Sequence, residues 1–266
     1  MLWTRVASGV VLGPLFLIVV YLETPWFNIL AGVLGLMVAF EYVRMTGLVG
    51  VGEKWHWRAV LIMAAPFVAV STLAVAGPVI AFASVVVLAL VFSVSGRIGA
   101  RNEPYQVQAA IPYAALPTLA LAYVMNVGDA VSIFWLLAVV WATDIGAYAF
   151  GRLIGGPKLA PSISPNKTWS GALGGMVSAV LVASALLWVY GLTATLGLAG
   201  LAAVLSAISQ SGDLFESGLK RRYQVKDSGN LIPGHGGIMD RFDGLWAAAP
   251  AMAMVCVVLQ GGVQQW

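Results

Sequence analysis

Four aspartates, Asp144, Asp213, Asp240 and Asp243, together with Glu216, carry the chemical signal in this sequence. Each lies in or beside a long apolar run. A carboxylate at hydrocarbon depth costs about 3 kcal/mol on insertion scales and normally marks a polar interior with a task. Asp213 and Glu216 share a helical face if their segment is a helix, and so do Asp240 and Asp243. Converging carboxylates suit a hard divalent cation; Mg²⁺ is typically held by one or two of them plus substrate phosphates. Around the acids stand Lys167, Lys220, Arg221, Arg222, Lys226 and Arg241, cations that suit a polyanionic substrate. The run PGHGG, with Gly234, His235, Gly236 and Gly237, adds a backbone able to approach phosphates and turn N–H groups toward them. Acids and cations together point to metal-assisted phosphate chemistry at a membrane surface.

Plainer readings apply to some of these residues. A Lys/Arg-rich loop can be a topology signal alone, and Arg222 fits that description as well as a chemical one. Glycines are common in turns, and His235 between them is as readily a structural hydrogen-bonder as a ligand. Glu41 reads as a side chain that snorkels to the interface or pairs with Arg44. Trp26, Trp141 and Trp246 read as interfacial anchors. Asp144 and Asp213 resist such explanations, because topology never rewards burying a carboxylate.

The elements that must hold these residues are membrane helices. Of 266 residues, 60% are hydrophobic and 9% charged, against about 25% charged in soluble domains. Apolar blocks fall at 7–22, 26–43, 59–76, 78–96, 107–126, 130–150, 170–190, 193–215 and 242–260, each near the length of about 20 residues that spans a bilayer. The Gly77-Pro78 pair divides the third block from the fourth. The expected fold is an all-α polytopic membrane helix bundle of about nine transmembrane helices. The division expected is 1–130, with about five N-terminal helices, and 131–266, with the remaining helices and the cytoplasmic catalytic loops. Arg5 ahead of the first block resembles a signal peptide, but GPLFLIVVYLETPW offers no small-residue cleavage site, so an uncleaved first helix is expected. The single cysteine, Cys256, allows no intrachain disulfide.

Charge supports the same count. With a cytoplasmic N-terminus, the inside segments are 1–6, 44–58, 97–106, 151–169 and 216–241, and they hold all 14 Lys and Arg residues. That bias is the positive-inside pattern; it places the C-terminus outside and the acids near cytoplasmic helix ends. The small net charge of +3 bears on topology, and no nucleic-acid partner is expected.

The C-terminal half resembles a known family. Ser217-x-Leu219-Lys220-Arg221, four residues, Lys226-Asp227-x-Gly229, then Pro233-x-His235-Gly236-Gly237-Ile238-x-Asp240-Arg241-Phe242-Asp243 is similar to the signature of the phosphatidate cytidylyltransferases, or CDP-diglyceride synthetases. SPNKTWSG, Ser164 to Gly171, looks like the Lys-Thr loop of that family, and Asp144 lies in its usual Asp-containing helix. The motifs cover roughly 140–245, and the N-terminal half matches only as a hydrophobic bundle. Ser170 stands where an acid or amide is frequent, and Gly244 where Ser is frequent.

The resemblance implies that CTP and phosphatidate give CDP-diacylglycerol and pyrophosphate with Mg²⁺, alone or with a second cation. It implies Asp213, Asp240 and Asp243 as metal ligands, with Asp144 and Asp227 as further candidates. Lys167, Lys220, Arg221, Lys226 and Arg241 would bind phosphates. His235 with Gly234, Gly236 and Gly237 would shape the phosphate loop, and Ser164, Asn166, Thr168 and Ser217 would line the substrate site. A homodimer in a bacterial inner membrane, with a cytoplasmic active site, is also implied. Rival readings are a CTP-dependent polyprenol or lipid kinase and, in another class, an ion-coupled transporter, which also buries carboxylates near helix ends.

Overall fold

The computed structural model describes residues 2–48, 57–98, 108–232 and 236–266. In hydrocarbon, backbone N–H and C=O groups find no water, so apolar runs are forced into helices that satisfy them internally. The chain is 78% helical. The helices are α1 (Leu2–Tyr21), α2 (Trp26–Met45), α3 (Trp57–Ala76), α4 (Pro78–Ile98), α5 (Ala110–Leu153), α6 (Trp169–Val189), α7 (Leu196–Arg222) and α8 (Met239–Leu259). Among the described residues, α2, α3, α5, α6, α7 and α8 are long and apolar enough to cross a membrane. Large apolar side chains such as Val75, Leu181, Trp188, Leu196 and Val258 point outward and stay exposed. Exposed apolar side chains of this size suit lipid-facing surfaces.

The chain forms two compact units. The first comprises Met1–Tyr123 and Asp227–Arg241. Within it α2 packs on α3 and α3 on α4. The α3–α4 break falls at Gly77, whose φ of +83° suits a residue without Cβ, and Pro78 opens α4, where its missing N–H is no loss. Arg58 is buried with its guanidinium 4.2 Å from the centre of the Phe92 ring, a cation–π contact that shelters its charge.

The second unit comprises Val124–Lys226 and Phe242–Trp266. Helix α5 has 44 residues, roughly twice the ~20 that span a bilayer, and its residues from Val124 onward belong to this unit. It is broken at Asp129 (φ 56°, ψ −168°). The Asp129 carboxylate caps the following limb by accepting from Val131 N–H at 2.8 Å, and it accepts from Gln264 as well. On α6, Gly171 and Gly175 let the second limb of α5 come close. A Cβ on them would meet Ala147 O at 2.8 Å and Thr143 O at 2.7 Å, the small-residue packing favoured between membrane helices.

The structure departs from the sequence reading at the segments expected to be cytoplasmic. Part of 151–169, expected as plain loop, contains an antiparallel hairpin, β1 (Lys158–Ala160) with β2 (Ser164–Thr168). The eighth apolar block, expected to end near 215, continues as α7 to Arg222, with Lys220, Arg221 and Arg222 in its last turn. Cations there oppose the negative end of the helix dipole, and Lys220 reaches back to Glu216 at 3.1 Å.

Asp129→Ala removes the cap of the second α5 limb and is expected to lower stability by about 1 kcal/mol, while Asp129→Asn stays near wild type. Thermal unfolding of the detergent-solubilised variants measures the difference.

Candidate active site

A cavity of about 550 Å³ opens in the second unit, lined by Asp144, Tyr148, Arg152, Asn166, Lys167, Thr168, Gln210 and Asp213 among others. The volume falls in the range of about 300–1,000 Å³ common for small-molecule sites. Three elements supply it. Asp144, Tyr148 and Arg152 recur every fourth residue on α5 and so share one helix face. The hairpin and the start of α6 deliver Asn166, Lys167 and Thr168, and α7 delivers Gln210 and Asp213.

At its centre the Lys167 ammonium contacts Asp213 Oδ2, with both side chains still about a third exposed (27% and 30%). The other Asp213 oxygen accepts from Ser217 Oγ at 3.3 Å. Asp144 faces the cavity without a hydrogen bond to another described residue, within Coulombic reach of both Asp213 and Lys167. Asp243, on α8, lies within electrostatic reach of Asp213, Glu216 and Asp144, and its Oδ1 accepts from Gly244 N–H at 2.7 Å. Helices α7 and α8 approach closely beside it, since a Cβ on Gly212 would meet Asp243 O at 3.0 Å. Asp144, Asp213 and Asp243 therefore form one electrostatic group, and Lys167 is the cation in direct contact with it.

Other residues singled out from the sequence have different surroundings. Lys220 pairs with Glu216, which is 1% exposed. Thr168 is the N-cap of α6, accepting from Gly171 N–H at 3.1 Å, and its hydroxyl also meets Ser170 Oγ. Ser164 is half-buried on β2 and Ser217 serves Asp213. Arg221, Lys226, Asp227 and Arg241 are exposed. His235 and Gly234 lie outside the described residues.

In the first unit, Asp240 Oδ2 accepts from Ser228 N–H at 2.9 Å, Ser228 Oγ at 3.0 Å and Gly237 N–H at 3.0 Å. Gly236 packs beside that carboxylate with φ +84°. Asp240 is thus engaged in organising its own loop.

Sequence reasoning did not name Tyr148, Arg152 or Gln210 as cavity residues. The fourfold spacing of Asp144, Tyr148 and Arg152 was the available signal. Arg152 Nη1 donates to Tyr148 Oη at 3.1 Å, and Gln210 Nε2 donates to Ala172 O at 3.2 Å.

A sequence profile of the cytidylyltransferase family matches residues 3–259. The chain belongs to the cytidylyltransferase family. Within it, the chain is similar to a phosphatidate cytidylyltransferase of Brucella suis biovar 1 (strain 1330), 35% identical over 254 residues, covering 93% of this chain and 90% of the relative. A phosphatidate cytidylyltransferase of Brucella abortus biovar 1 (strain 9-941) matches with the same identity and coverage. One from Staphylococcus haemolyticus (strain JCSC1435) is 45% identical over 126 residues, 47% of this chain and 48% of that one.

For a cytidylyltransferase needing a divalent cation, the donors present are of the right kind. Asp144, Asp213 and Asp243 offer hard carboxylate oxygens. Among the described residues no three His, Cys, Asp or Glu side chains close a complete metal cage. A site of one or two carboxylates completed by substrate phosphates, as Mg²⁺ prefers, needs no such cage.

Lys167→Met is expected to lower kcat/KM by about 10²–10³-fold, the size of losing one preorganised electrostatic contact, with Lys167→Arg keeping more activity. Steady-state kinetics check this; a loss under threefold removes Lys167 from the site.

Proposed function

We propose that this chain transfers the cytidylyl group of CTP to phosphatidate, giving CDP-diacylglycerol and pyrophosphate. The observation that carries the reading is the cavity in which the Lys167–Asp213 pair stands beside open Asp144. Family membership and the names of the Brucella relatives support the same reaction.

The chemistry matches what the residues provide. A phosphate oxygen of phosphatidate, already anionic at neutral pH, attacks the α-phosphorus of CTP. The new P–O bond forms as the bond to the bridging α–β oxygen breaks, and pyrophosphate leaves with the electron pair. No side chain has to become a nucleophile, so the absence of a nucleophile–base pair among the cavity-lining residues is consistent. The obstacle is charge, because two polyanions must meet and a third must depart. Lys167, with Arg152 also lining the cavity, offsets phosphate charge there. One or two of Asp144, Asp213 and Asp243 would hold Mg²⁺, which when bound would offset phosphate charge. Asn166 and Gln210 supply neutral hydrogen bonds for orienting substrate.

The proposal includes nine crossings, with α5 crossing twice and turning at Asp129, an N-terminus inside and a C-terminus outside. Support comes from the length of α5 and from the confinement of all 14 cations to alternate connections. It further places the site on the cytoplasmic face of a bacterial inner membrane and pairs the chain as a homodimer, in line with the family resemblance.

Purified protein given phosphatidate, Mg²⁺ and CTP labelled at the α-phosphate is expected to move label into lipid. Label entering lipid only from the γ-position would replace this reading with a lipid kinase. For the topology, Thr193→Cys is expected to react with a membrane-impermeant maleimide on intact spheroplasts, and Arg222→Cys only after lysis. The reverse pattern would invert the assignment.

A further inference from the structure

Glu41 lies on α2, far from the signature in sequence, and is 1% exposed. Its carboxylate accepts three hydrogen bonds. Oε1 accepts from Ile238 N–H at 2.9 Å; Oε2 accepts from Met239 N–H at 2.8 Å and from Ser228 Oγ at 2.8 Å. The two N–H groups belong to the start of α8, donors with no partner inside their helix. A negative charge there also suits the helix dipole. Ser228 stands at the other end of the signature segment, so one carboxylate ties both ends. Ser228 Oγ lies between Glu41 Oε2 and Asp240 Oδ2, which share its single proton, and Gly237 N–H donates to Asp240.

Two signature glycines are explained by this carboxylate. A Cβ on Gly229 would come within 2.7 Å of Glu41 Oε1, and one on Gly237 within 2.5 Å of Oε2. Both distances are below any normal contact, so the backbone can close on Glu41 only where side chains are missing.

We propose that Glu41 is a positioning residue for the reaction: it acts through residues 227–232 and 236–241, setting the conformation in which Asp240 organises the loop and Asp227 and Arg241 are held. The inference rests on the cytidylyl-transfer reading for its catalytic readout only. Glutamine at this position keeps the shape but replaces one accepting oxygen with an NH₂ group, which then confronts a backbone N–H or the Ser228 hydroxyl.

The test compares wild type, Glu41→Gln and Ser228→Ala in the full chain, in detergent, by steady-state kinetics and amide hydrogen exchange. Glu41→Gln is expected to lower kcat by about 10- to 100-fold, the scale of one charge-assisted hydrogen bond, with KM for CTP changed less than about threefold. Exchange at 237–239 should speed up by a comparable factor. Ser228→Ala removes one arm and should give the same pattern at about 3- to 10-fold. It also decides the matter if the glutamine variant does not accumulate. Wild-type kcat in either folded variant, or unchanged exchange at 237–239, overturns the proposal. Wild-type protein without cytidylyl transfer would overturn the reaction instead, and the exchange comparison would still report on the anchor.

Discussion

A carboxylate placed at the edge of a hydrocarbon layer must be given partners, and the two units of this chain answer that constraint in different ways. Asp213 receives a lysine ammonium and a serine hydroxyl while remaining partly open to a cavity. Among the described residues, Glu41 receives a hydroxyl and backbone N–H groups, and it is closed off. A partly exposed carboxylate paired with a lysine can exchange that partner for substrate and metal. A closed one, bonded to backbone, holds a conformation. The same side-chain chemistry thus serves reactivity in one setting and rigidity in the other.

The cation supply follows a related logic. Lys220 is committed to Glu216 in the last turns of α7, and Thr168 and Ser217 are committed to a helix cap and to Asp213. What stays open around the cavity is narrower than the list of polar residues near it: Asp144, Asn166, the Lys167–Asp213 pair and the Arg152–Tyr148 pair. Narrowness of that kind is useful in a transfer between two anions, because each spare cation would also hold the product.

How much could be read in advance depended on the range of the forces involved. Helices could be placed because lipid imposes one local solution on every apolar run, and the α3–α4 break is visible in the Gly77-Pro78 pair itself. Asp144, Asp213 and Asp243 stood out because burial makes any carboxylate conspicuous, and Lys167 came with a motif. The hairpin at 158–168 was missed, since a short polar segment carries no periodicity strong enough to distinguish strand from loop. The turn of α7 carrying Arg221 was missed because cations were taken as the end of a span, whereas a helix can continue into water with a basic last turn. Glu41 was read as a snorkelling residue or an Arg44 partner because its true partners, the Ser228 hydroxyl and two backbone N–H groups, lie 187 to 198 residues away. Backbone donors leave no mark in side-chain sequence; the only trace is the pair of glycines that must be small to reach it.

That separation has a meaning for biosynthesis. Chains emerge at about 5–20 residues per second, so the segment that Glu41 grips is made roughly 10–40 s after Glu41 itself. Through that interval Glu41 lacks the partners that satisfy it in the finished fold. Closure of the signature segment is then among the last events of assembly, and an unfinished chain has its grip in place before there is anything to hold.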